Sequence, residues 1–174
     1  GEGNGDRFRK ITGIAVHDTE GVKELKVNNT ITVINSKYKY LTDIEKLGVK
    51  EGENTAVVTD NAGNAKSVTF YYDTTAPTFN WIVDNKTQAQ SKEVRLETSE
   101  EIQLPDEGWS LKGEENGVFV YVKTFYANWK DKNFTVTDLA GNVSEPQFVE
   151  VKRIDNSRPI VVELTQDITD WTCL

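Results

Sequence analysis

Methionine is absent from this 174-residue sequence, and cysteine and histidine occur once each, as Cys173 and His17. A lone thiol at the penultimate position cannot staple a domain, so no disulfide framework is expected and cysteine usage does not reveal the compartment. A nucleophilic pair of Cys173 and His17 would have to unite opposite ends of the chain. Basic clusters are missing as well. Lys and Arg total 20 against 28 Asp and Glu, a net charge of -8, which excludes the phosphate-neutralising surface that nucleic acid requires. No run of about 18 apolar residues is present, so no membrane span is expected. Residues 1–5 lack the apolar stretch of a signal peptide. Carboxylate pairs for glycoside hydrolysis exist numerically, but short-stranded β units offer no deep cleft to hold them, and the expectation is a protein that is not an enzyme.

What the sequence does contain is one phrase stated twice. Val58, Thr59, Asp60, Asn61, Ala62, Gly63, Asn64 returns 78 residues later as Val136, Thr137, Asp138, Leu139, Ala140, Gly141, Asn142. A repeat of this period in a chain of this length implies two successive domains of one kind. The phrase has the chemistry of a tight reversal, in which Asp accepts backbone N–H bonds and Gly takes a positive φ, with Asn also tolerating that region.

Along the chain, residues 1–6 read as a disordered lead-in, 7–76 as a first domain, 77–158 as a second, and 159–174 as a C-terminal strand or tail, the start of a further repeat or a strand docking back. Strands are expected at 11–16, 22–27, 30–34 and around Tyr38 and Tyr40, with a turn at 18–21. Thr42 with Glu45 and Gly48 forms a capping-box pattern that predicts one short helical turn. Strands at 54–59 and 65–72 flank the first phrase, with Ala56 and Val58 inward. Further strands are expected at 79–83, 93–98, 101–104 and 118–125, and Phe134 and Val136 repeat the inward positions. Asp73, Thr74, Thr75, Ala76, Pro77 corresponds to Asp155, Asn156, Ser157, Arg158, Pro159 at an offset of 82. The second copy therefore holds four extra residues after Asn142, placed near Ser144, Glu145 and Pro146, where Pro interrupts a strand. Many short strands, frequent turns and almost no helix predict an all-β chain of two tandem β-sandwich domains.

The phrase, the strand after it and the Asp-Thr-Thr-Ala-Pro junction resemble the bacterial immunoglobulin-like repeats of Gram-positive surface proteins. In the second copy, Pro105, Asp106, Glu107, Gly108, Trp109, then Phe125 and Tyr126 with Asn128, then 134–142, is similar to clostridial-type tandem surface repeats. The resemblance spans roughly residues 7–159. It implies an extended, Ig-like, non-enzymatic segment of a longer chain, outside the cell, at the cell surface or secreted. Such segments serve as stalks, spacers or adhesive modules, with neighbouring domains, host or surface proteins, or glycans as partners. A carbohydrate-binding appendage of a secreted glycan-active enzyme is the alternative.

Two constellations carry the chemistry. Asp60, Asn64 and Asp73, with Asp138, Asn142 and Asp155, and with Asn61 and Asp84 beside them, are oxygen ligands in turns, the type calcium prefers. No calcium loop of the Asp-x-Asp-x-Asp-Gly type is present, and turn formation accounts for the same residues. Trp109, Tyr126 and Trp129, with Trp81, Trp171 and Tyr121, are candidates to stack on sugar rings or to pack as core. Asn28, Asn85, Asn133 and Asn142 head Asn-x-Ser/Thr triplets, glycan acceptors in a eukaryotic secreted protein and ordinary strand ends in a bacterial one. A Lys–Asn isopeptide crosslink is a further option whose members the sequence does not identify.

Overall fold

The computed structural model describes residues 5–160; expectations placed on residues 1–4 and 161–174, including Trp171, Cys173 and nearly all of the C-terminal strand, fall outside it. Eleven strands and no helix run through the described residues: β1 (Asp6–Phe8), β2 (Ile14–Val27), β3 (Thr30–Leu41), β4 (Gly52–Asp60), β5 (Ala65–Tyr72), β6 (Phe79–Ile82), β7 (Lys92–Thr98), β8 (Ser110–Glu115), β9 (Val118–Phe125), β10 (Trp129–Phe134) and β11 (Gln147–Val151). They form a five-stranded sheet in the order β1-β5-β4-β2-β3, a four-stranded sheet β6-β7-β9-β8 and a two-stranded sheet β10-β11. The all-β expectation holds, and the layering is consistent with a β-sandwich.

Two separate cores follow from the alternation in these strands. Val16, Val22, Leu25, Val27, Ile34, Val49, Ala56 and Phe70 pack together in the amino-terminal half. Phe79, Val94, Leu96, Ile102, Trp109, Tyr121, Phe125, Phe134, Val136, Val149 and Val151 pack in the carboxy-terminal half. Ala56, Phe134 and Val136 are buried as expected, with Val58 half-buried against the first core. The second core is the more aromatic. Trp81 lies edge-on to Trp109 and Phe134, with centroids 5.6 and 5.1 Å apart, and stacks on Trp129 at 5.8 Å. Tyr121 is buried at its centre, and its hydroxyl accepts from the Ile102 N–H at 2.9 Å and donates to the Ile102 carbonyl at 3.3 Å.

Three local expectations are corrected. The turn foreseen at residues 18–21 does not separate two strands, because β2 runs through it. His17 pairs with Tyr38 and Val22 with Ser36, so four residues of β2 stand against one of β3. The turn chemistry makes a bulge, with Asp18 Oδ1 accepting from Glu20 N at 3.1 Å, while the flanking ladder carries the chain onward. The strand expected at 101–104 is a single bridge, Ile102 to Asp138. The turn near residue 45 is one isolated α-turn capped by Asp43 rather than Thr42: Leu47 N donates to the Asp43 carbonyl at 3.1 Å and Lys46 N to Asp43 Oδ1 at 3.2 Å. Too short to be a helix, it is held by burial of Leu47 and Val49.

Asn54, fully buried, organises this end of the first unit. Its Oδ1 accepts from Asn28 Nδ2 at 2.8 Å and Lys50 N at 2.9 Å, and its Nδ2 donates to the carbonyls of Lys50 and Gly52 at 2.7 and 2.9 Å. Asn28 in turn donates to Gly48 O and accepts from Thr55 N. Both faces of the Asn54 amide are satisfied, and loss of either partner leaves buried polar groups unpaired. Replacing Asn54 by Ala is expected to cost about 2–4 kcal/mol, read as a lower urea midpoint with the slope unchanged.

Candidate functional site

Each phrase folds into the same clasp. At the end of β4, Asp60 Oδ1 accepts from Asn64 N and Asp60 Oδ2 from Asn64 Nδ2, both at 2.8 Å. Gly63, at φ +94°, lets its N–H reach the Asp60 carbonyl. Asp138 and Asn142 repeat this at 2.8 and 2.9 Å around Gly141 at φ +98°. Neither Asn takes the left-handed backbone that its type tolerates; each closes the turn through its side chain.

The two clasps differ in surroundings. That of the first unit is solvent-exposed, whereas Asp138 is fully buried, because its clasp sits at the joint between the units. Asn142 Nδ2 donates to the Asp73 carbonyl at 2.8 Å. The Arg9 side chain lies over Gly141, where an added Cβ would stand 3.6 Å from Arg9 Cδ. Carboxylate oxygens of Asp73, Glu100 and Asp138 come within 4.8 Å of one another. Burial, then the charges of Asp73 and Asp138, then a hydrogen bond to Asp73 push the Glu100 carboxyl up to about 7, with Arg7 opposing. Three carboxylates this close repel, and two species relieve the repulsion: a proton held on Glu100, or a hard divalent cation that takes oxygen ligands.

Of the six residues singled out for calcium, the fold brings Asp73, Asp138 and Asn142 together and scatters the rest. Asp60 and Asn64 close the distal clasp. Asp155 lies at the far end of the second unit, held below the usual carboxylate range by Ser157. Its Oδ2 accepts from Gln88 Nε2 at 3.1 Å. Asp84 is held down to about 2 by the backbone N–H of Lys86 and by Thr87, a turn of its own. Glu100 went unrecognised as a site residue. Its signal is positional: it stands two residues before Ile102, the bridge partner of Asp138, as Glu20 stands before Val22, the partner of Asp60.

The aromatic candidates also separate. Trp109 is 3% exposed and belongs to the core, so it presents no face to a sugar; the hydrophobic gain of burial places the ring inside. Tyr121 is buried too. Tyr126 is 67% and Trp129 37% exposed, but Trp129 gives one face to Trp81, and Tyr126 joins no ring cluster among the described residues. The side-chain amides of Asn28, Asn85 and Asn142 are all engaged with backbone carbonyls. Lys92, buried, gives its ammonium to the carbonyls of Asp84 and Thr87.

No family model matches the chain, and no curated protein matches it.

The raised Glu100 carboxyl has a definite pH signature. Proton binding here stabilises the joint fully below the ordinary carboxylate range, about 4.5, and that stability is lost as pH rises through about 7. Each tenfold gain in proton affinity on folding corresponds to about 1.4 kcal/mol, and solvent at the partly open rim screens part of it. Glu100→Gln is therefore expected to stabilise the chain at pH 8 by about 1–2 kcal/mol and to flatten the slope of stability between pH 5 and 8. An unchanged slope in denaturant titrations at several pH values contradicts the assignment.

Proposed function

We propose that the chain is a non-enzymatic tandem immunoglobulin-like segment of a bacterial cell-surface or secreted protein, acting first as a stalk or spacer. The observation that carries this reading is the pinned linker. Glu51 accepts from Thr74 N at 2.8 Å, Thr74 Oγ1 at 3.1 Å and Thr75 Oγ1 at 3.4 Å. Asp73 Oδ1 accepts from Thr75 N at 3.0 Å, and Pro77 follows with its own fixed φ. Asn142 then ties the second unit to the linker's first residue. A linker whose polar groups are bonded on both sides holds two units at one angle, the property a spacer needs.

An adhesive role for the same segment, toward a surface protein or glycan, draws support from the exposed Tyr126 and Trp129. A carbohydrate-binding appendage of a glycan-active enzyme draws less, since burial of Trp109 removes the third ring of the platform.

Small-angle scattering tests the spacer reading. At pH 6 the profile is expected to fit one conformation, and Glu51→Ala to broaden it while leaving each unit folded. A wild-type profile that requires a wide spread of interunit angles contradicts the reading.

A further inference from the structure

Between β10 and residues 103–106 of the second unit lies a pocket of about 460 Å³, within the range of small-molecule sites. Its origin is legible from the first unit. There β2 covers the edge of β4, Val22 pairing with Asp60, Leu25 with Val58 and Val27 with Ala56. The second unit begins the same ladder: Ile102 bridges Asp138, and Gln103 N donates to the Thr137 carbonyl at 2.8 Å. In an antiparallel ladder the next N–H aimed at that edge belongs to the residue two places on, and Pro105 has none. The chain turns away instead. Asp106 Oδ1 accepts from Gly108 N at 2.7 Å, and Lys123 Nζ donates to the two Asp106 oxygens at 2.9 and 2.7 Å. The edge that the first unit fills with backbone is thereby left open beside Phe134, Thr135 and Val136.

The lining chemistry selects a ligand class. Trp129, 37% exposed, lines the pocket and is fixed by stacking on Trp81 at 5.8 Å and by the nearly perpendicular Phe134 ring at 6.3 Å. Asp131 and Asn133 follow it along β10 and line the pocket too. Asp131 Oδ1 accepts from Asn133 N at 2.9 Å, which positions the carboxylate, and the Asn133 side-chain amide has no partner among the described residues. Thr135 and Thr137 add hydroxyls. No cationic side chain lines the pocket, so a phosphate or carboxylate ligand would meet only like charge. Asp106 is ion-paired with Lys123, which leaves Asp131 as the one lining carboxylate without an ion pair among the described residues. An apolar chain would strip water from these polar groups and replace none of its bonds. A neutral molecule with one apolar face and several hydroxyls satisfies all of them.

We infer that this pocket is a carbohydrate subsite for one neutral hexopyranose ring of a glycan, with the ring's C–H face on Trp129 and its hydroxyls on Asp131 and Asn133. The inference rests on the adhesive reading of this segment and supplies it with a site. A pyranose carries C–H bonds on its face and hydroxyls around its rim, matching an indole beside a polar wall. A carboxylate accepts from two neighbouring hydroxyls, and the Asn133 amide both donates and accepts. At the corresponding positions, 78 residues earlier, the first unit has Glu51, Glu53 and Thr55 and no aromatic ring. The subsite is therefore a property of the second unit, built where the two copies differ.

The test titrates the full chain, isotope-labelled for NMR, with methyl β-D-glucopyranoside, methyl β-D-galactopyranoside and methyl α-D-mannopyranoside. Sorbitol, an open-chain polyol without a ring face, and tetramethylammonium chloride serve as controls. At least one glycoside is expected to bind with a Kd of about 1–10 mM, the range for a ligand of this size, and to shift the Trp129 indole N–H and the Asn133 side-chain amide. Trp129 also packs on Trp81, so the exposed Asn133 supplies the deciding variant. Asn133→Ala is expected to raise Kd about fivefold, the worth of one or two hydrogen bonds, with the melting temperature unchanged. Equal shifts from sorbitol or from tetramethylammonium overturn the inference. A glycan array separates it from the reading beneath it: binding to neutral glycans that Asn133→Ala loses supports both. Array binding that survives Asn133→Ala, or that is confined to sialylated or sulfated glycans, overturns the subsite and leaves the adhesive reading in place. Silence of the glycosides and of the whole array overturns the subsite together with the glycan arm of that reading.

Discussion

The carboxylates of Asp73, Glu100 and Asp138 meet where the two β units join, and much of the surrounding structure serves to make that convergence tolerable. An isolated buried carboxylate is costly unless hydrogen-bonded, paired or protonated. Asp138 is satisfied by both nitrogens of Asn142, Glu100 retains its proton to about pH 7, and Arg7 adds opposing charge. The same Asn142 reaches out to the Asp73 carbonyl. The residue that hydrogen-bonds the Asp138 carboxylate therefore also holds the units together.

This coupling explains why a hairpin turn is placed at the junction. A turn has two requirements, a left-handed Gly and an acceptor for its N–H groups, and both clasps meet them identically. The spare donor on the Asn amide is the only part left over. In the distal clasp it bonds Asp60; at the joint it is shared with the neighbouring unit. One fold element thus has a closing role in each unit and a joining role wherever another unit's end is presented to it. Glu51 completes the arrangement by occupying polar groups of Thr74 and Thr75.

Much of this architecture is legible in the sequence because its signals are local. The two clasps, the strands at 54–59, 65–72 and 118–125, and the interruption near Pro146 follow from alternation and turn chemistry. In the gap, Ser144 Oγ accepts from Val136 N at 3.0 Å in place of the regular ladder. What escaped depends on partners distant in sequence. The turn at 18–21 became a bulge because β3 pairs with β2 on both sides of it, and Glu100 joined the site only through the bridge of Ile102 to Asp138. Trp109 and Trp129 are alike in sequence terms and both pack on Trp81, yet one is core and the other half-exposed. The role of Asn54 was likewise invisible, since its partners at Asn28, Lys50 and Gly52 are gathered by three separate segments.

The central claim is that the joint has one fixed geometry. Residual dipolar couplings measured for backbone amides of both units in a single weakly aligning medium at pH 6 test it directly. The account predicts that the couplings of residues 14–72 and of residues 79–151 fit one common alignment tensor. Two tensors that differ in magnitude or orientation would contradict it.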